Sequence, residues 1–271
     1  MINDCAHVGE DLSSYINNRG LAKVDLIKRG RNIVDKTLGV LFKVAMLPDY
    51  DIYHVHYALQ DAYIVSKLKR LDVLHCHGSD IRWTIDGKWG FIVKHNLRKA
   101  KVVLYATPDM EQKIMKYRED AVYLPTPVRT DTFTLKQQYN NPLRAVYFKL
   151  SYEKPPTNLF SMLKEKGISV DVLERKFPYE EMPDLLKRYD IFIDRFTIPS
   201  FSKTCLEAMS CGLATIDYRH KEDLAGRVKE LTASFVREEG LKNREYVIRN
   251  HDVEKVAEQL VGIWKTYLYK T

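Results

Sequence analysis

The stretch richest in chemistry is 199–216, PSFSKTCLEAMSCGLATI, where a small polar loop runs into an amphipathic segment carrying Glu207 and stops at Gly212 before an apolar run. Backbone N–H groups at a helix N-terminus favour anions, and Ser200, Ser202 and Thr204 can add hydroxyl donors, so the stretch suits a phosphate group. Leu206, Ala208 and Met209 would form the buried stripe and leave Glu207 facing the mouth of a site. The same pattern also fits a capped core helix bearing a solvated glutamate.

Histidines form a second group. His54 and His56, and again His75 and His77, are spaced two apart within apolar runs, so each pair shares one face of a strand and could in principle chelate a metal. No cysteine or carboxylate accompanies them at ligand spacing, and histidines there are read as hydrogen-bonded core or rim residues, with no metal expected. His77 differs because Gly78, Ser79 and Asp80 follow it. A histidine and an acid leaving the carboxyl end of a parallel strand would project into a cleft.

Lys149 and Lys154 flank Leu-Ser-Tyr-Glu after another apolar run. Two cations at the carboxyl end of a strand could grip a diphosphate, converging with the 200–204 loop. Gly9, in HVGED, could let a phosphate or sugar approach the backbone closely. Asp49-Tyr50-Asp51 has the form of a cation-binding DxD, but it precedes a strand and is better read as a turn.

These residues need elements to hold them. Strand-like runs at 51–57, 72–76, 101–106 and 121–124 alternate with helical stretches at 58–69, 92–98 and 110–116. The rhythm loosens through 132–142, TFTLKQQYNNP, then resumes. Strands follow at 144–149, 170–173, 191–194 and 214–216, with helices at 158–166, 179–187 and 205–211. Repeated βα units imply parallel sheets, and 271 residues suit two domains better than one. The expected fold is therefore α/β with two Rossmann-like domains facing a cleft: residues 1–134, residues 135–251, and a closing amphipathic helix, 252–271, able to pack back on the N-terminal domain. Ligands of such sheets bind outside the carboxyl ends of the strands.

Composition narrows the classes. Hydrophobic residues make up 45% and charged residues 29%, with no apolar run of membrane-spanning length and no signal pattern at the start, so a cytoplasmic protein is expected. Cys5, Cys76, Cys205 and Cys211 are scattered and read as reduced thiols. The net charge of +7 is spread through both halves and interleaved with acids, which argues against nucleic acid. The densest basic group, Lys23, Lys28, Arg29, Arg31, Lys36 and Lys43, could touch anionic lipid as a peripheral contact at the inner membrane face, or could be a solvated surface. Oligomeric state is not legible.

The order of features resembles the GT-B glycosyltransferases of family 4. Phe148-Lys149-Leu150-Ser151-Tyr152-Glu153-Lys154-Pro155 matches that family's G-R-L-x-x-x-K-G with lysine for arginine and both glycines replaced. Pro199-Ser200-Phe201-Ser202 and 206–215, LEAMSCGLAT, align with its E-G-F-G and L-E-A-M-A-C-G-x-P-V. The resemblance implies a retaining, metal-independent transfer of a sugar from a nucleoside diphosphate sugar to a hydroxyl acceptor (glycan, lipid or small molecule), with no cofactor beyond the donor substrate. It implies that Glu207 binds the ribose hydroxyls and that Lys149 and Lys154 neutralise the leaving diphosphate. Phe201, Ser202, Lys203 and Thr204 would contact phosphate or sugar, with His77 by the transferred sugar and Ser200 and Asp80 as further cleft candidates. The departing phosphate would itself take the acceptor proton. The family's first glutamate, eight positions before the second, is Pro199 here, and Ser200 and Ser202 replace loop glycines. Those departures motivate a rival class, a non-catalytic relative serving as a binding or partner subunit.

Overall fold

A computed structural model describes residues 1–30 and 39–268. Arg31 and Lys36 of the basic group lie outside the described residues. The chain divides into two compact units, one comprising Met1–Pro127 with the segment from Val253 on, the other Val128–Asp252.

In the first unit four parallel strands, β1 (His54–His56), β2 (Val73–Cys76), β3 (Val102–Tyr105) and β4 (Val122–Tyr123), pair in that order. Ile2 extends the sheet by single parallel bridges to Val55 and to Ile27. The chain thus winds outward from Ile2 to Ile27 and then returns to β1 on the other side, so the direction of winding reverses beside Asn3 and Tyr57. Such a reversal opens a crevice at the carboxyl ends of the strands.

Alternate residues feed two cores. Val55, Leu74, Val103 and Tyr105 face one core with Val65, Val93 and Leu97. Val73, Val102 and Leu104 face the other, covered by Leu12 and Ile16 of the helix Val8–Asn18 and by Val256, Leu260 and Trp264 of the helix Val253–Leu268. With both faces covered, β3 reads as a continuous apolar run, while β1 and β2 set histidines among their apolar residues. The C-terminal helix, with Val256, Leu260 and Trp264 four residues apart on one stripe, is part of this first unit.

The second unit has strands β5 (Arg144–Phe148), β6 (Ser169–Leu173), β7 (Ile191–Ile193) and β8 (Ala214–Ile216), all parallel, in the order β6-β5-β7-β8. The winding reverses between β5 and β7. Val146, Phe148 and Phe192 face one core with Leu206 and Met209, while Ala145, Tyr147, Ile191 and Ile216 face the other. The polar stretch read as an interdomain linker belongs to this unit. Phe133 is fully buried, and the Lys136 ammonium is buried on Asp190 at 2.6 Å, so the division falls after Pro127 where the sequence suggested 134.

Candidate functional site

In the second unit the carboxyl end of β7 runs into the loop 194–202 and then the helix Lys203–Ser210. The loop is built from its own charged groups. The buried Asp194 carboxylate accepts from the Ser202 N–H at 2.9 Å, and the Arg195 guanidinium donates to Ser200 O at 3.1 Å, Ser200 Oγ at 2.9 Å and Phe201 O at 3.1 Å. Burial pushes the Asp194 carboxyl upward, opposed by Arg195 and by the Ser202 N–H. Ser202 is the N-cap of the helix, its Oγ accepting from the Cys205 N–H at 3.1 Å. Ser200 and Ser202, expected as donors toward a phosphate, thus have built-in partners, and Arg195 is the residue sequence reasoning missed.

Glu207 sits one turn into the helix and its side chain is only 3% exposed. Tyr179 Oη donates to its Oε1 at 3.1 Å, and Lys203 Nζ lies 3.8 Å from the same oxygen and 5.0 Å above the Tyr179 ring. The i,i+4 spacing of Lys203 and Glu207 sets this pair on one helix face. It is Lys203 that the structure sets beside Glu207. Lys149 is more than half exposed and ion-paired with Glu174 at 2.7 Å, and Lys154 is exposed in the same segment. Thr204 is half-buried in the first helical turn.

The segment after β5 reaches across the reversal point. Glu153 accepts from the Phe196 N–H, from the Thr197 N–H at 3.2 Å and from Thr197 Oγ1 at 2.5 Å. Two consecutive amides holding a carboxylate are an anion nest, occupied here by an acid of the chain itself. On the other flank Phe201 packs under the Arg219 guanidinium at 4.8 Å and against Tyr218. Arg219 is held in turn by Asp217, with Nε–Oδ1 2.9 Å and Nη2–Oδ2 2.8 Å. Burial raises the Asp217 carboxyl pKa, but bonds from Arg219 and Thr215 outweigh it and hold it below the usual range.

His220 completes that turn by accepting the Asp217 N–H on Nδ1 at 3.2 Å, and burial first, with the nearby Arg227 and Arg219, lowers its pKa to about 4 against the pull of Asp217. A depressed histidine pKa means the unfolded chain binds the proton more readily, so this contribution is present above the unfolded pKa and is lost as pH falls toward 4. Acidification from pH 7 to 4 should cost on the order of 1–2 kcal/mol at this group, discounted for partial exposure. His220→Gln should flatten that part of a stability-versus-pH curve measured by urea titration.

In the first unit the reversal point is lined by unusual backbone. Asn3, Ala6, His7 and Tyr57 have φ of 69, 51, 62 and 82°, and Gly78 has φ 149°. Left-handed non-glycine residues gathered at strand ends are stored strain of the kind found at ligand sites. Asn3 Nδ2 donates to His56 O at 3.3 Å, and His77, half-buried past the end of β2, shares a 2.9 Å bond between its Nε2 and His56 Nδ1.

Asp80 does not project outward as its place after the strand suggested. It is fully buried and accepts from Gly78 N at 2.8 Å, Ala58 N at 3.0 Å, Ile81 N at 3.1 Å and His77 N at 3.4 Å. Burial raises its pKa while those amides oppose the rise. Asp80 therefore shapes the loop that presents His77. Gly9 likewise lies in the first turn of its helix, buried, where a Cβ would come within 3.1 Å of Asn3 O. Its bareness serves helix-to-strand packing.

Gly78 is constrained twice. Its φ is one that side chains rarely adopt, and a Cβ would stand 2.1 Å from Arg82 Nη1, whose guanidinium is clamped on Asp109 at 2.6 and 2.9 Å. Gly78→Ala should destabilise the first unit by about 1–3 kcal/mol, readable as a lower urea midpoint.

No family model matches the chain, and no curated protein sequence is similar to it. Solved structures are. A glycosyltransferase from Rickettsia africae matches over 100% of this chain and 98% of its own at 11% identity and TM-score 0.59. A putative UDP-N-acetylglucosamine 2-epimerase from Listeria monocytogenes matches over 100% and 96% at 10% identity and TM-score 0.62. A sucrose-phosphate synthase from Thermosynechococcus elongatus matches over 82% and 75% at 12% identity and TM-score 0.59. At these identities the likeness shows the fold, which is α/β of the GT-B type. Among the described residues no helix is long and apolar enough to cross a membrane.

Proposed function

We propose that the chain is a retaining, metal-independent glycosyltransferase that takes a nucleoside diphosphate sugar as donor and a hydroxyl compound as acceptor. The observation that carries the reading is the Tyr179–Glu207–Lys203 group on the helix after β7, at the winding reversal of the second unit. A carboxylate fixed by a tyrosine and a lysine would accept the ribose hydroxyls. Lys203 and the first amides of its helix, with Lys154, would supply the cations and dipoles for the departing diphosphate. One preorganised donor of that kind is typically worth about 3–4 kcal/mol in the transition state. Phe201, Thr204 and Lys149 border the same strand ends, and His77 is the first unit's candidate for the sugar. Peripheral membrane contact through the basic surface belongs to the same reading, for acceptors carried on lipid.

The neighbours support a nucleotide-sugar ligand so far as their names go, since one is named for a UDP-sugar. A second reading, a binding or partner subunit without turnover, is favoured by Pro199 at the place of the family's first glutamate and by Glu153 on the amides of 196–197. Calorimetry with UDP and GDP, followed by product analysis with a panel of nucleotide sugars, tests both. Binding of one diphosphate with release of a transferred sugar supports the enzyme; a free epimerised sugar nucleotide, or binding without turnover, overturns it; binding of neither removes the donor site altogether.

A further inference from the structure

The parallel register of β1 and β2 places His56 directly beside His75, and the period of two adds His54 and His77 to the same face. This is the face covered by the helices Val8–Asn18 and Val253–Leu268, since the alternate residues Val55 and Leu74 belong to the opposite core. Four imidazoles are thereby stacked in one row, with ring centroids 4.6 Å apart for His54–His56, 5.3 Å for His56–His75, 5.1 Å for His56–His77 and 4.2 Å for His75–His77. His56 and His75 are fully buried and His54 is 1% exposed.

Such residues are expected to be hydrogen-bonded, yet five of the six ring nitrogens of His54, His56 and His75 are not. Both ring nitrogens of His54, both of His75 and Nε2 of His56 are buried with no hydrogen-bond partner. Leaving a buried polar atom unpaired is costly, and five such atoms in one cluster need a reason. One nitrogen from each of His54, His56 and His75 lies within 4.8 Å of the other two, the spread that small side-chain rotations would close around one ion.

We propose that His54, His56 and His75 bind a single zinc-like divalent transition-metal ion inside the first unit, where it stabilises the sheet beneath the strand ends. Three neutral imidazoles are a recognised donor set for such an ion. Burial among apolar side chains favours the neutral imidazoles that such an ion needs. His56 carries its own outer partner. With the proton on Nδ1 donated to His77 Nε2 at 2.9 Å, its Nε2 keeps the lone pair toward the cluster, the usual arrangement of a ligating histidine. Entry is by a cavity of about 370 Å³ lined by Met1, Ile2, His54 and Trp264, and Trp264 meets His54 edge-on at 5.8 Å with its indole N–H also buried and unpaired. That N–H can donate to a water or hydroxide in the fourth position.

The full chain, stripped with a chelator and dialysed, should take up one equivalent of zinc as measured by elemental analysis. It should also give the intense visible bands of tetrahedral cobalt when loaded with Co²⁺, and show a higher melting temperature in zinc than in chelator. His75→Gln and, as a second variant in case that one does not fold, His54→Phe should lose the cobalt bands and the zinc-dependent shift. A surface group, Asp4, His7 and Glu10, also has ligand-like spacing, so His7→Ala serves as the control and should leave uptake unchanged. Wild-type chain that binds well under one equivalent, cobalt without tetrahedral bands, or uptake that disappears with His7→Ala while surviving His54→Phe would overturn the proposal.

Discussion

Asp190→Ala should destabilise the second unit by about 3–5 kcal/mol, a large share of the roughly 5–15 kcal/mol that holds a domain folded. The carboxylate is fully buried and receives Lys136 Nζ at 2.6 Å, Asn140 N at 3.0 Å, Asn140 Nδ2 at 2.9 Å and Arg144 N at 2.8 Å. Removing it strands an ammonium that is 2% exposed and leaves three amide donors without that acceptor. The loss comes from the uncompensated partner more than from the pair itself, so the double variant Lys136→Met with Asp190→Leu should recover part of the stability. Urea unfolding of the single and double variants measures this. A single-variant loss below about 1 kcal/mol, the scale of an exposed pair, would show that Lys136 finds water or another acceptor.

That hub explains what the sequence could and could not disclose. The strands of both sheets were legible as short, mostly apolar runs between turn and helix signals, and the helix Lys203–Ser210 was legible from its stripe and its small-polar entry. The 132–142 stretch reads as a linker because its structure depends on one buried phenylalanine and one buried ion pair, and neither leaves a periodic pattern. The helix Ala233–Asn250 escaped for a related reason: its buried stripe is Val236, Gly240, Asn243 and Val247, half of it not apolar. Gly240 is there because a Cβ would stand 2.0 Å from Gly212 O, and Asn243 because its Nδ2 bonds Leu213 O at 2.9 Å. The first bridge of the sheet, through Ile2 alone, is too short for any period to register.

The candidate site divides along the same line. Lys203 and Glu207 share a face through local spacing on one helix, whereas Tyr179, Glu153 and Arg219 come from other segments that only the fold brings together. Spacing also misassigned roles. Asp80 and Ser202 lie where the motif puts them, but each has its capacity engaged by neighbouring amides. A motif fixes the position of a polar side chain; the local backbone decides which donors are left for a ligand.

If Glu207 holds the ribose as proposed, Glu207→Gln should weaken binding of the preferred nucleoside diphosphate by roughly 10- to 100-fold, at a smaller cost in stability than Asp190→Ala because the amide keeps an acceptor at the same place. The substitution keeps the volume and an acceptor for Tyr179 Oη, now 3.1 Å from Oε1, so the packing around a side chain that is 3% exposed survives. On the proposed ribose assignment it removes the negative charge that makes those bonds charge-assisted, a difference of about 1–1.5 kcal/mol for each bond. It also frees Lys203, 3.8 Å away, from its counter-charge, which should strengthen the pull on the diphosphate and makes the net loss smaller for the diphosphate than for the nucleoside alone. Calorimetric titration of wild type and variant with nucleoside and with diphosphate separates the two effects. Equal affinity for the nucleoside in both proteins would mean that Glu207 serves only to hold Tyr179 and Lys203 in place, and the ribose assignment would have to be abandoned.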